Sequence, residues 1–150
     1  MPSHSESRIL PYAPEFIYRI VADVERYPEF VPWCAGLRIL GREPTSWGEV
    51  LLAETLVGYK ALRERYTSRV ELEPFRRIDV THTEGPFKQL ENHWRFAPAG
   101  NGCRVDFSIL FEFRSRILGR VAGAALGLVM MQMTHAFEAR AGALSQQSKQ

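Results

Sequence analysis

Lysine is nearly missing from this chain, cysteine is scarce, and no apolar run is long enough to span a bilayer. Three of the nineteen basic residues are lysines and sixteen are arginines. That count fits either a need for bidentate phosphate or carboxylate contacts or a codon bias. The formal charge of +2 is too small to argue for nucleic acid, so DNA is not an expected partner. Cys34 and Cys103 stand 69 positions apart with no paired spacing, which points to neither a disulfide framework nor a zinc site and predicts free thiols in a reducing compartment. The longest apolar stretch, Val121 to Met131, has eleven residues, against the roughly 20 that a membrane-crossing helix needs. Met-Pro-Ser-His-Ser-Glu-Ser at the N-terminus lacks a charged region followed by an apolar run, so a secretory signal is not expected. His4, His82, His93 and His135 show no metal-ligand spacing, and there is no serine motif at a strand-to-helix turn. Neither cysteine has an assignable histidine partner. No metal site and no catalytic residue are assigned.

What is present is periodicity. At 150 residues, with 45% hydrophobic and 24% charged side chains, the chain suits one globular domain covering residues 1–150, with a core from about residue 4 to residue 145. The stretch from about Ser115 to Leu144 predicts one amphipathic helix of about eight turns. Its apolar face carries Leu118, Ala122, Ala125, Leu126, Val129, Met130, Met133, Ala136, Phe137 and Leu144, with Arg116, Arg120, Thr134 and Glu138 opposite. Before it, a strand ends at Ser7–Leu10, and Pro14 opens a helix running to about Asp23. Tyr27 to Cys34 holds three aromatics and two prolines, which predicts a rigid apolar connection. It either plugs one end of the core or forms part of a ligand- or membrane-facing rim.

Strands follow at Leu37–Arg42, Trp47–Val57, Leu62–Leu72, Ile78–Thr83, Phe87–Phe96 and Val105–Arg114, separated by turn signals. Ala99-Gly100-Asn101-Gly102 is a hairpin signal between the last two. Alternation with period two gives the inner faces: Val105, Phe107, Ile109, Phe111 and Phe113; Leu90, Asn92, Trp94 and Phe96; Leu62, Glu64, Tyr66, Ser68, Val70 and Leu72. The result is an α+β chain, a curved antiparallel sheet of about seven strands wrapped around a long C-terminal helix.

Two polar residues interrupt the inner faces. Glu64 and Asn92 each need a partner, because an unpaired buried charge or amide is costly; each is either paired within the sheet or a polar handle for a ligand oxygen. His82 shares the parity of Ile78 and Val80, and with Glu64 it could form an acid–base pair if their strands adjoin. Gly119, Gly123 and Gly127 recur every four residues and make the first half of the final helix the candidate gate, which alanine at Gly123 and Gly127 would stiffen. Leu128 and Met131 fall on its polar side, leaving apolar surface exposed.

Ser7-Arg8-Ile9-Leu10, the run from Asp23 to Cys34, Glu64-Arg65-Tyr66-Thr67-Ser68, Trp94-Arg95-Phe96, Val105 to Ile109, Phe111 to Ser115, and Ala136-Phe137 with Arg140-Ala141 carry a resemblance. In this order they resemble the coenzyme-Q-binding START-like family, part of the polyketide-cyclase and ribosome-association-toxin (RatA) group. Tyr27-Pro28-Glu29-Phe30 and Gly85-Pro86-Phe87 are shared by the quinone and toxin branches alike.

The resemblance implies a helix-grip (START/Bet v 1-like) fold. It further implies a hydrophobic tunnel for coenzyme Q (ubiquinone) or a related polyprenyl lipid, and a non-enzymatic carrier role supporting respiration without a required cofactor. The side chains placed at that tunnel are Tyr27, Phe30 and Trp33 from the connection, with Leu126, Met130, Met133 and Phe137 from the helix. The sheet adds Glu64, Tyr66, Leu90, Asn92, Trp94, Phe96, Phe107, Ile109 and Phe111. A polyprenyl tail would overfill an ordinary pocket of roughly 300–1,000 Å³, so transient membrane-surface contact is expected, in a bacterial cytoplasm and peripheral to the inner membrane. Two alternatives stand beside this one. A RatA-like toxin would contact the large ribosomal subunit, with Arg63, Arg65 and Arg69 as the contact face, and a cyclase- or dehydratase-like enzyme would use Glu64 or His82.

Overall fold

The computed structural model describes residues 3–59 and 62–148. The strands are β1 (Ser3–Leu10), whose first six residues are polar, and the alternating β2 (Cys34–Pro44), β3 (Glu49–Tyr59), β4 (Leu62–Glu73), β5 (Arg77–Glu84), β6 (Phe87–Ala99) and β7 (Gly102–Phe113). Helix α1 (Pro14–Ala22) and a 3₁₀ helix, Val24–Glu29, stand between β1 and β2, and α2 (Arg116–Ser148) closes the chain. The strands lie in the order β1-β7-β6-β5-β4-β3-β2 in one antiparallel sheet. From β2 onward each strand pairs with the next, so only the α1 segment crosses from one sheet edge to the other. This is the helix-grip arrangement: a curved seven-stranded sheet around a C-terminal helix.

Local chemistry explains the joints. Pro14 supplies the first turn of α1, where its missing N–H costs nothing. The expected end at Asp23 falls one residue earlier, because Asp23 leaves the helical region at φ −82°, ψ 67°. The aromatic and proline connection is partly a tight 3₁₀ helix containing Pro28, and β2 begins at Cys34 instead of Leu37. Gly100, with φ +56°, takes the first central position of the β6–β7 turn, as a two-residue type II′ hairpin requires. At the β5–β6 turn Gly85 has φ +143°, and a Cβ there would stand 2.7 Å from Tyr66 Cβ. Only glycine lets Phe87 fold back edge-on to Tyr66, at 5.4 Å between ring centres.

The inner faces match the period-two alternation. Val105, Phe107 and Phe111 are buried on β7, Leu90, Trp94 and Phe96 on β6, and Ser68, Val70 and Leu72 on β4. The side chains of Leu62, Ala122 and Ala125 lie outside the described ones. Against these faces α2 buries Met130, Met133, Phe137 and Ala141. Thr134 and Glu138, expected on the solvent side, instead meet β1. Thr134 Oγ1 lies 2.7 Å from Glu6 Oε1, and Arg8 Nη1 donates to Glu138 Oε1 at 2.6 Å. Burial pushes the Glu6 carboxyl up, but Thr134, His4 and Arg8 outweigh it and hold it below its ordinary value.

The two halves of α2 are held differently. Between Arg116 and Val129 no side chain described is fully buried, and a methyl group on Gly119 or Gly127 would meet nothing within 4 Å. Among the described residues no helix is long and apolar enough to cross a membrane.

On the outer face of β5, Asp79 is 8% exposed and ringed by cations. Arg77 donates to it at 2.5 Å, Arg95 at 2.7 Å, and His93 Nδ1 lies at 2.6 Å and must carry the proton toward an ionised carboxylate. Burial alone would raise this carboxyl; the bonds from Arg95, His93 and Arg77 win and keep it below its usual value. A carboxyl depressed in the folded state adds stability above its unfolded pKa, and that stability disappears as pH falls through the folded value.

Asp79→Asn should therefore lower the unfolding free energy at pH 7 by about 2–3 kcal/mol, less than the roughly 3–5 kcal/mol of a fully buried broken pair because His93 and Arg95 are half exposed. In urea melts the gap between wild type and variant should narrow below about pH 4; a gap independent of pH would refute the ionic account. Gly119→Ala with Gly127→Ala should slow amide exchange across residues 116–129, since each adds up to about 1 kcal/mol of helix propensity without a clash.

Candidate functional site

Two adjoining chambers lie between the sheet and α2. The larger, about 160 Å³, sits under the loosely held half of α2 and is walled by Phe87, Leu90, Ile109, Phe111 and Phe113 from β6 and β7. Val121, Leu126, Val129, Met130 and Met133 form its helical side. The deeper one, about 70 Å³, reaches toward β2 and the 3₁₀ helix among Val24, Tyr27, Leu37, Ala53, Thr55 and Trp94. Trp33, Tyr66, Val80, Asn92 and Met133 border both. Even the larger is smaller than the roughly 300 Å³ of a typical small-molecule pocket. A ligand of that size requires the first half of α2 to move outward, and methionines at the wall suit such repacking.

Polar groups are few at this junction. Asn92 spends its amide on neighbours: Nδ2 donates to the Ser108 carbonyl at 2.9 Å, and Oδ1 accepts from Trp94 Nε1 at 3.0 Å. The Tyr66 hydroxyl is bonded to Thr55, and burial pushes it up to about 12, so it stays protonated. Trp33 Nε1 is different: it is buried with no acceptor among the described residues. A buried N–H left unmade costs about 1–3 kcal/mol. A ligand oxygen in this region would recover that cost. Tyr27, whose hydroxyl donates to the Val21 carbonyl, is held protonated by burial. The two thiols, Cys34 and Cys103, are free and buried, and burial raises both, Cys34 to about 11.

Of the side chains expected at the tunnel, Trp33, Tyr66, Leu90, Asn92, Phe107, Ile109, Phe111, Leu126, Met130 and Met133 border the larger chamber. Tyr27, Trp94 and Phe137 border the deeper one. Three are elsewhere. Phe96 packs edge-on against Tyr18 at 5.7 Å, filling the core below α1. Phe30 backs Phe137 at 5.1 Å and takes the Arg140 guanidinium on its other contact, so it supports the wall without forming it. Glu64 is half-buried opposite Val57 near the end of the β3–β4 hairpin, bordering neither chamber and making no ion pair among the described residues.

The Glu64–His82 pair does not form. His82 stands beside Ser68, four residues along β4 from Glu64, a separation of about 13 Å at strand rise. His82 instead meets Phe87 edge-on at 5.4 Å, and burial together with Arg114 lowers its pKa. No group of three or more His, Cys, Asp or Glu suited to a metal is found among the described residues.

Several wall residues were not anticipated. Val80, Phe113 and Val129 were on faces already read as inward. Phe87 has the wrong parity for its strand, and a register shift between Phe87 and Gln89 turns it inward. Val121 is 55% exposed yet lines the larger chamber, so it marks the mouth. Periodicity alone put it off the apolar stripe.

Comparison with known proteins agrees with this geometry. The family described as polyketide cyclase / dehydrase and lipid transport matches residues 10–138. Ribosome association toxin RatA of Rickettsia prowazekii is 34% identical over 145 residues, covering 94% of this chain and 97% of its own. Coenzyme Q-binding protein COQ10 homolog B, mitochondrial, of Xenopus laevis is 37% identical over 144 residues, covering 93% of this chain and 57% of its own. The solution structure of the 18 kDa protein CC1736 from Caulobacter crescentus superposes with a TM-score of 0.82 at 38% identity, over 97% of this chain and 99% of that one. The chain therefore belongs to the polyketide cyclase / dehydrase and lipid transport family, in its START-like group with the RatA and COQ10 proteins.

Proposed function

We propose that the protein binds coenzyme Q or a related polyprenyl quinone between α2 and the sheet, as a non-catalytic carrier serving respiratory electron transport at a bacterial inner membrane. The observation that carries this reading is the apolar chamber under the loosely held half of α2, bordered by a buried indole N–H without an acceptor. A quinone offers carbonyl oxygens for Trp33 Nε1 and an isoprenoid tail for the Phe87, Leu90, Phe111 and Met130 wall. Each buried CH₂ contributes about 0.8 kcal/mol, so a few isoprene units offset much of the cost of leaving a bilayer. The COQ10 relative supports the ligand class. Glu64 and His82, too far apart to act together, lend a cyclase or dehydratase reading no support.

A second reading is ribosome contact. It is favoured by the full-length match to the RatA relative and by the exposed Arg65 and Arg69 on the outer face of β4, on the same side as Arg63. Charge reversal at Arg65 and Arg69 should abolish co-sedimentation with large ribosomal subunits if this reading holds, and unchanged sedimentation removes it.

Mass spectrometry of lipid extracted from natively purified protein should find an isoprenoid quinone; an extract without one counts against the carrier. Trp33→Phe should weaken quinone binding by about 0.5–1.5 kcal/mol, roughly 2- to 12-fold, while leaving affinity for the bare polyprenyl chain nearly unchanged. Equal losses for both ligands would show that Trp33 only packs.

A further inference from the structure

Helix α2 is apolar on two sides in its first half. One side faces the chamber. The other carries Ile117, Val121, Leu128 and Met131, which are 77%, 55%, 45% and 61% exposed. These four are nearly half of the chain's large hydrophobic side chains described as exposed. Their spacing puts them, with exposed Ala124, in one stripe, about 21 Å long at helical rise. A helix apolar on nearly all sides is ordinarily buried on all sides, and nothing described covers this one.

Basic side chains outnumber acidic ones around the stripe. Arg114, Arg116 and Arg120 are exposed and have no carboxylate partner among the described residues. By contrast Arg8, Arg26, Arg38, Arg42, Arg77 and Arg140 are all ion-paired. From Arg116 to Phe137 the helix has no Asp or Glu at all. One acid is near: Glu112 borders the same surface hollow as Arg116 and Arg120, and Lys88, 4.0 Å away, offsets its charge.

We infer that this face docks on an anionic lipid bilayer, with Ile117, Val121, Leu128 and Met131 in the interfacial region and Arg114, Arg116 and Arg120 on lipid phosphates. An exposed apolar stripe beside a basic flank is the composition of an interfacial helix. RNA would take the arginines but leave the stripe in water. The surface is also continuous with the chamber: Val121 belongs to both, and Phe113 lines the chamber next to Arg114 in sequence. Docking there sets the mouth against the acyl chains, so a tail enters without crossing water. The inference rests on the lipid-carrier reading for its purpose, but not for its observations.

The test is flotation of the purified full chain with two kinds of vesicle, phosphatidylcholine alone and phosphatidylcholine containing phosphatidylglycerol. The protein should float with the anionic vesicles and be released by salt, with little association to neutral ones. Arg116→Glu with Arg120→Glu should reduce anionic association roughly fivefold for each positive charge removed. Ile117→Ser with Met131→Ser should reduce it about tenfold or more. Both pairs are exposed and border neither chamber, so the thermal midpoint and the binding of a short-chain quinone in solution should stay at wild-type values. Wild-type protein that does not float, or variants that float as well as wild type, would overturn the docking surface even where quinone binding is intact. Flotation that depends on these residues in a protein that binds no quinone would uphold the surface and overturn the carrier reading instead. Pelleting with ribosomes in place of flotation would also overturn it.

Discussion

The anchoring of one half of α2 decides most of what this molecule can do. Phe137 sits edge-on to Tyr27, Phe30 and Trp94 at 5.4, 5.1 and 5.3 Å, so the helix, the 3₁₀ connection and the middle of the sheet meet at one ring. Glu6 and Arg8 of β1 hold the adjacent polar side through Thr134 and Glu138. Nothing comparable holds residues 116–129 among the described contacts. A helix pinned at one end and free at the other can change the space beneath it without unfolding, which is how chambers this small are reconciled with a larger ligand.

The sheet has to keep its curvature while its concave side is left incompletely packed. Part of that rigidity comes from the outer face. Asp79, with its ring of Arg77, Arg95 and His93, ties β5 to β6, and Arg77 also reaches Glu73 at the end of β4. These bonds lie behind the Val80 and Asn92 wall, away from the chambers. Interior polarity is correspondingly low. Asn92 accepts from Trp94 and donates to the Ser108 carbonyl, Tyr66 is bonded to Thr55, and the Trp33 indole stands apart.

Period-two alternation made most of the concave face legible, because β-sheet parity is strict wherever one side is buried. The failures have physical causes. A bulge at the start of β6 reversed the parity of Phe87, and no residue type at Lys88 announces it. Glu64 has the inward parity of its strand but lies near the hairpin end, beyond the chambers. Phe96 has the right parity and the wrong height, filling the core under α1. Asp79 is not legible in the sequence because it sits on the outward face, where a lone acid is ordinarily solvated; its burial depends on Arg77, Arg95 and His93 around it. Of the four polar residues that mark the solvent side of α2 in the sequence, Arg116 and Arg120 are exposed, whereas Thr134 and Glu138 meet β1 partners more than a hundred residues away in sequence.

The strand order also sets a schedule for assembly. Among the described residues β1 pairs with β7 alone, from Ser3 opposite Leu110 to Leu10 opposite Cys103, so this strand has no partner until β7, some ninety residues later, is made. Contacts this distant in sequence are slow to form, and an unpaired apolar strand would invite aggregation while it waits. Ser3-His4-Ser5-Glu6-Ser7-Arg8 is polar throughout. Such a segment can remain hydrated through synthesis and join the finished β2–β7 meander last. On that schedule, the carboxylate and guanidinium that seat α2 arrive together with the strand that completes the sheet.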